Sequence, residues 1–252
     1  MKFAILTTTH KRPTELQRAL DSARSQSFTD YVHYIVNDSP EHDYSEVEKN
    51  IISDPKIIYT KNTENIGKNA SLNKLLGLLA QKWFSGHVVY LDDDDWFAPE
   101  CLEDFKSEIE KNPNCFWFVS NRVLLEGESL TKNNTGKKFI SYFYDYLLSK
   151  KFTGDATHCI KFSTVSKTHY PKHIKNGEEW YYFLSISKDY KKFLHIDKPG
   201  TYTRGYSTNG QNAVMKQNYR GNTPALFKEV LSPAIFVYLI LRTLTLLFKK
   251  TF

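Results

Sequence analysis

Cysteine is scarce in this chain and poorly placed for structural chemistry. Cys101, Cys115 and Cys159 lie far apart and form no CxxC pair, so neither a zinc site nor a disulfide framework is indicated. A reducing compartment suits that usage. No GxGxxG follows the first apolar run and no GxxxxGK[ST] occurs, which argues against a classical dinucleotide fold and a P-loop NTPase. No internal repeat is visible. One lysine and a very short apolar run before Thr7-Thr8-Thr9 do not make a secretory leader. The longest apolar run, Ala234 to Phe248, would reach roughly 22 Å as a helix of ~15 residues, short of the ~30 Å hydrocarbon core.

What is present supports a folded enzyme-sized unit. The 252 residues are 40% hydrophobic and 15% aromatic, enough to bury a core in one large domain or two fused subdomains. The net charge of +6 favours anionic partners: a nucleotide, a phosphorylated acceptor, an anionic lipid surface or nucleic acid.

The first half alternates strand and helix patterns. Phe3 to Leu6, Tyr31 to Val36, Ile57 to Thr60 and His87 to Leu91 read as strands. Pro13 suits a first helical position, and Leu16, Ala19, Leu20 and Ala23 recur at helical spacing behind it. A second helix carries Leu72, Leu75, Leu76 and Leu79. This order predicts βαβ units and a doubly wound, mostly parallel sheet. In such a sheet the strand ends share one edge, where ligands bind. That edge would gather Thr7, Asp38 and the run Asp92-Asp93-Asp94-Asp95.

Four consecutive carboxylates repel one another, and a divalent metal with oxygen ligands is the simplest relief. The alternative is a solvated acidic turn before a helix beginning near Pro99. Beyond Pro99 the pattern predicts a helix to about Lys111, a strand at Cys115 to Ser120, and a polar hairpin or loop over 121–138. An aromatic-rich helix over Phe139 to Leu148 follows, then a strand at Ala156 to Phe162 and a helix opened by Gly177-Glu178-Glu179-Trp180. Two short strands near Phe193 to Ile196 and Thr201 to Arg204 precede a flexible loop over 205–223.

Taken in order, these motifs resemble the family 2 glycosyltransferases of the GT-A fold. Ile5-Leu6-Thr7 through Arg12-Pro13 resembles the first strand and helix start of that family. Val36-Asn37-Asp38-Ser39 resembles its VDDGS segment, with Asp38 at the uracil-reading position. Asn65-x-Gly67-Lys68 with Asn73 resembles the N-x-G-K segment along the nucleotide; Leu72 stands where a basic residue is common, which shifts weight to Lys68. Leu91 through Trp96 to Pro99 resembles the DxD segment, which would make Asp94 the metal ligand and place Asp92, with Asp93 beside it, at the nucleotide. Gly177-Glu178-Glu179-Trp180 resembles GEDW, with Glu179 at the catalytic carboxylate and Glu178 as its competing neighbour.

The resemblance implies an α/β GT-A fold with a Rossmann-like, mostly parallel sheet and helices on both faces. Residues 1–95 would bind the nucleotide sugar, 96–223 the acceptor, and 224–252 form an apolar, basic helical tail. It implies an inverting, Mn²⁺- or Mg²⁺-dependent transfer from a UDP-sugar to a hydroxyl of a glycan or lipid-linked glycan. His158 and Trp180 are candidates for the acceptor side, and core packing explains either as well. Trp96, Tyr181 and Tyr182 have the same two readings.

Tyr238, Arg242, Thr245 and Lys249 fall on one helical stripe of an otherwise apolar tail. Such a helix fits the plane of a membrane, with Arg242 and Lys249 at head groups. This predicts a cytoplasmic enzyme held peripherally on the inner face of the cell membrane, with a tail separable from the catalytic core. The alternative is a helix packed on the domain or on a second subunit. Nucleic acid is not among the expected partners. Two competing functions remain at this point: a non-catalytic nucleotide-fold protein docked on membranes, and a nucleotidyltransferase. The second would want a glycine-rich basic loop near the start, where only Lys11-Arg12 stands.

Overall fold

Phe3 and Ile5 of the first strand face one apolar core, and Ala4 and Leu6 face another. The same split separates Val89 from Val88 and Phe118 from Trp117. Successive strand residues point to opposite faces, so a strand buried on both sides must be apolar throughout. That requirement accounts for the unbroken hydrophobic runs.

The computed structural model describes residues 1–190, 192–205, 222–230 and 232–248. Its strands are β1 (Phe3–Thr9), β2 (Tyr31–Asn37), β3 (Ile57–Lys61), β4 (His87–Tyr90), β5 (Trp96–Phe97) and β6 (Trp117–Leu124). They continue with β7 (Lys132–Asn133), β8 (Phe139–Ser141), β9 (Phe152–Thr153), β10 (Ala156–Lys161) and β11 (Lys192–Thr203). The helices are α1 (Pro13–Arg24), α2 (Ser45–Ile51), α3 (Lys68–Gln81), α4 (Cys101–Lys111), α5 (Phe162–Val165), α6 (Glu179–Tyr190) and α7 (Pro233–Phe248).

The main sheet runs β3-β2-β1-β4-β10-β6-β11-β5, with β8 beside β11. β1 to β4 are mutually parallel, β10 runs against β4 and β6, and β6 and β11 again run with the first four. The result is a mixed, mostly parallel sheet. α1 and α4 cover one face through Ala19, Ala23, Leu102 and Phe105; α3 and α6 cover the other through Leu72, Leu75, Leu79 and Leu184. The four apolar positions expected to bury α1 are all in the core.

Three expectations change. The stretch expected as one helix over 139–148 begins as a strand, because Phe139 to Ser141 pairs with Leu194 to Lys192; only Tyr142–Leu148 is helical, as a π-helical turn. The two short strands near residue 200 are one long strand, bent where its register on β6 slips between Ile196 and Thr201. Most of the expected loop over 205–223 lies outside the described residues.

The third change concerns the tail. α7 does not lie free with its cation outward. Ile235 and Leu239 are fully buried against the domain, and Arg242 turns inward to Glu178. Tyr238 and Arg242 of the polar stripe lie on the docked side, where a buried carboxylate is waiting, while Thr245 is exposed and Lys249 lies outside the described residues. Phe236, Val237, Ile240, Leu241 and Leu244 form the outward, exposed face. No helix among the described residues is long and apolar enough to cross a membrane.

Candidate active site

Sheet register decides which residues meet. Thr9 pairs with Asn37, Asn37 with Lys61 and Leu6 with Tyr90, so β1, β2 and β4 end on one edge. The chain leaving β4 runs into the four aspartates there. They border a cleft of about 760 Å³ whose walls include Arg12, Asp38, Lys68, Arg122, His158 and Glu179.

Asp93 and Asp95 are buried, while Asp92 and Asp94 are partly exposed to the cleft. Carboxylate oxygens of Asp92, Asp94 and Asp95 lie within 4.8 Å of one another. Cations ring them. Lys68 Nζ donates to Asp92 (2.8 Å), Arg122 to Asp95 (2.8 Å) and to Asp155 (3.1 Å). Arg12 donates to Asp94 (2.6 Å) and Asp93 (3.2 Å), and Arg18 to the Asp94 carbonyl (2.6 Å).

The acidic groups respond in opposite directions. Burial would raise the Asp92 carboxyl, but Lys68 and Arg122 hold it down to about 2. Burial, with the charge of Asp94, pushes Asp93 up to about 7 against the pull of Arg12. Burial also drives Asp95 up to about 7 against Arg122, aided by Asp92 and Asp94. Lys68 is raised: burial opposes its charge, but Asp92 and Glu179 outweigh burial.

Asp92 and Asp94 open onto the cleft, with the buried Asp95 beside them. The donor set is all oxygen, as a hard divalent ion prefers. Each carboxylate accepts several bonds, so the present partners leave lone pairs free. Mn²⁺ or Mg²⁺ therefore fits these residues.

The other expected residues divide. Asp38 is buried and accepts from Asn62 Nδ2 (2.8 Å) and from the backbone N–H groups of Ile66 (2.9 Å) and Gly67 (2.8 Å). It ties the end of β2 to the segment carrying Asn65 and Lys68, and all three line the cleft. Thr7 does not reach it. Its hydroxyl is buried between the Leu91 carbonyl (2.8 Å) and His33 (2.8 Å), and Thr8 lines the cleft instead. Asn73 is spent on the backbone of Tyr170. Tyr181 and Tyr182 are fully buried core residues.

Glu178 and Glu179 face different neighbours. Glu179 opens α6 and its carboxylate lies 3.5 Å from Lys68 Nζ. Glu178 is 2% exposed and receives both arms of the Arg242 guanidinium. Its φ of +62° is in the left-handed region, where a non-glycine residue is strained. His158 lines the cleft, accepts from Trp117 Nε1 (3.1 Å) and stacks on Phe183 at 4.0 Å; burial lowers it to about 3, so it is a neutral ring. Trp180 donates its Nε1 to Glu178 and meets Tyr238 of α7.

The cationic ring was the part least visible in sequence. Arg122 is a lone charge inside an apolar, β-prone run, and a side chain that buried needs a carboxylate partner. That mismatch was the available signal. Arg12 had only its place before Pro13. Asp155 had none.

A family profile described as "Glycosyl transferase family 2" matches residues 4–171. An uncharacterized glycosyltransferase of Methanocaldococcus jannaschii, MJ1057, is 23% identical over 194 residues, covering 75% of this chain and 66% of that protein. The chain thus spans just under two thirds of that relative. Among solved structures, S. aureus TarS 1-349 in complex with UDP-GlcNAc superposes with a TM-score of 0.70 at 14% identity, over 97% of this chain and 73% of that one. The mannosyltransferase PcManGT from Pyrobaculum calidifontis, in complex with GDP-Man and Mn²⁺, gives 0.64 at 15% identity, over 96% and 68%. These likenesses confirm the GT-A-like fold expected from sequence. With its motifs meeting in one cleft and the profile covering most of its length, the chain belongs to glycosyl transferase family 2.

Proposed function

We propose that the protein transfers a hexosyl or N-acetylhexosaminyl group from a UDP-sugar to a hydroxyl of a glycan or lipid-linked glycan, with inversion. The observation that carries this reading is the pairing of two kinds of chemistry in one cleft. An edge where Asp92, Asp94 and Asp95 converge within 4.8 Å faces Glu179, with Lys68 between them. The bound UDP-GlcNAc and the GDP-Man with Mn²⁺ in the structural neighbours support a nucleotide-sugar donor.

Asp94, with Asp92 and Asp95 beside it, would hold Mn²⁺ or Mg²⁺, which supplies Lewis-acid neutralisation of the departing diphosphate. Asp38 and the 65–67 segment it organises form the nucleobase side, with Asn65, Asp92 and Asp93 toward the nucleoside. Glu179 takes the proton of the acceptor hydroxyl, a poor nucleophile without a base in reach. Direct attack from the side opposite the diphosphate inverts the anomeric centre. Lys68 holds the Glu179 and Asp92 carboxylates in one frame. His158 and Trp180 border the acceptor side. Residues 1–95 thus serve the donor and 96–223 the acceptor.

The outward apolar face of α7 supports a peripheral seat on the cytoplasmic face of a membrane, beside a lipid-borne acceptor in polysaccharide, lipopolysaccharide or capsule synthesis. A panel of UDP-sugars assayed for hydrolysis and transfer with Mn²⁺ or Mg²⁺ tests the reaction. One UDP-sugar should be turned over in a metal-dependent way. Tight nucleotide binding with no turnover of any sugar would favour a non-catalytic binding protein.

A further inference from the structure

The residues flanking Glu179 are both held by α7. We propose that the Glu178–Arg242 pair positions Glu179, making the terminal helix a working part of the active site; the inference rests on Glu179 being the base.

The Arg242 guanidinium meets Glu178 fork to fork, Nη1 to Oε2 at 2.6 Å and Nη2 to Oε1 at 2.8 Å. Both side chains are withdrawn from water, at 10% and 2% exposure. A planar bidentate pair fixes direction as well as distance. Asn222 adds a third contact to Glu178 at 3.2 Å, and Trp180 Nε1 a fourth. Trp180 is held in turn, with the Arg242 guanidinium 5.4 Å from its ring centroid and the Tyr238 ring at 4.7 Å. Glu179 lies between these two anchored residues, and its own carboxylate turns the other way, toward Lys68.

From the opposite side α3 grips the same turn. Asn69 donates to the Gly177 carbonyl at 3.0 Å, and the Lys68 N–H to Asn176 Oδ1 at 2.9 Å. A residue with φ of +62° persists only where its surroundings over-determine it. Here the surroundings are α3 on one side and α7 on the other. Apolar burial of Ile235 and Leu239 already docks α7. A buried ion pair adds little to docking, since well-packed apolar residues hold a helix equally well. What it adds is a fixed angle for the turn that carries the base. A small misplacement of a reacting group can cost two orders of magnitude in rate.

The test uses the full-length protein. Arg242→Met should lower kcat by about 10- to 100-fold and leave KM for the UDP-sugar within about twofold, because Asp38, Asp92 and Asp94 on the donor side are held by the 62–67 segment, Lys68 and Arg12 rather than by α7. Arg242→Lys, which keeps charge without the fork, should fall between. The double variant Glu178→Gln, Arg242→Met removes both buried charges; its kcat should stay low although its stability recovers. Hydrogen exchange reads the turn without any substrate: amides of residues 177–182 should exchange at least about tenfold faster in Arg242→Met, with β1 and β4 unchanged. Wild-type kcat in Arg242→Met, full recovery of kcat in the double variant, or unchanged exchange at 177–182 would each overturn the proposal. If no UDP-sugar is turned over by the wild type, the functional reading fails, and the exchange measurement still decides the clamp.

Discussion

Asp93 offers a prediction that the structure makes quantitative. The residue is 7% exposed, and its carboxyl is pushed from an ordinary 3.8 up to about 7 by burial and by Asp94. The unfolded chain restores the ordinary value. A raised folded value means that the protonated form is favoured on folding. The associated stability is fully present below pH 3.8 and is lost as pH rises toward 7. At about 1.4 kcal/mol per decade, ionised Asp93 costs about 4 kcal/mol above pH 7. Asp93→Asn removes that titration and keeps the shape. The asparagine carbonyl still accepts from the His10 N–H (3.3 Å) and Arg12 (3.2 Å), more weakly by about 1–2 kcal/mol, and the charge-dependent part of the Arg12 contact belongs to the same titration. The difference between variant and wild type is therefore the quantity to follow. It should move by about 2.5 kcal/mol in favour of the variant between pH 5 and pH 8. Urea denaturation at both pH values, with EDTA present, measures it. A difference that stays constant over this window, or that moves toward the wild type, would refute an electrostatically burdened Asp93.

Other substitutions probe the same cleft. Glu179→Gln should leave UDP affinity intact and lower turnover by roughly 10²- to 10⁴-fold; an active Glu179→Gln beside an inactive Glu178→Gln would reverse the assignment. Asp94→Ala should abolish the Mn²⁺-dependent gain in UDP-sugar affinity measured by calorimetry, and equal wild-type affinity in Mn²⁺ and in EDTA would remove the metal from the mechanism. Gly67→Ala should cost about 2–4 kcal/mol, because Gly67 has φ of +91° and an added Cβ would lie 2.5 Å from the Lys175 carbonyl oxygen. It should weaken UDP binding as well, since the Gly67 N–H holds Asp38; an unchanged denaturation midpoint would show that the turn tolerates a side chain.

Much of the fold was legible from one dimension. Runs such as Phe3 to Leu6 and His87 to Tyr90 state their own burial on both faces, and the alternation with α1 and α3 implies parallel strands with a shared ligand edge. The aspartates after β4 had to arrive at that edge, because the strand aims them there. Spacing could not state which side chains turn away from it. Thr7 sits on a strand end, yet the pleat points its hydroxyl into the sheet toward Leu91 and leaves Thr8 at the cleft.

Tertiary contact decided the remainder. Phe139 to Ser141 is a strand only because β11 lies beside it, a pairing between segments some fifty residues apart that local propensity cannot register. Glu178 and Glu179 are chemically alike in sequence. They differ because α7 brings a guanidinium to one and α3 an ammonium to the other. The tail read by itself is an apolar helix with a cationic stripe, which suits a membrane plane. Folded, Arg242 of that stripe finds a buried carboxylate, and a charge in low dielectric takes the partner at hand. Sequence determined which residues could do chemistry. Long-range packing determined which of them face one another.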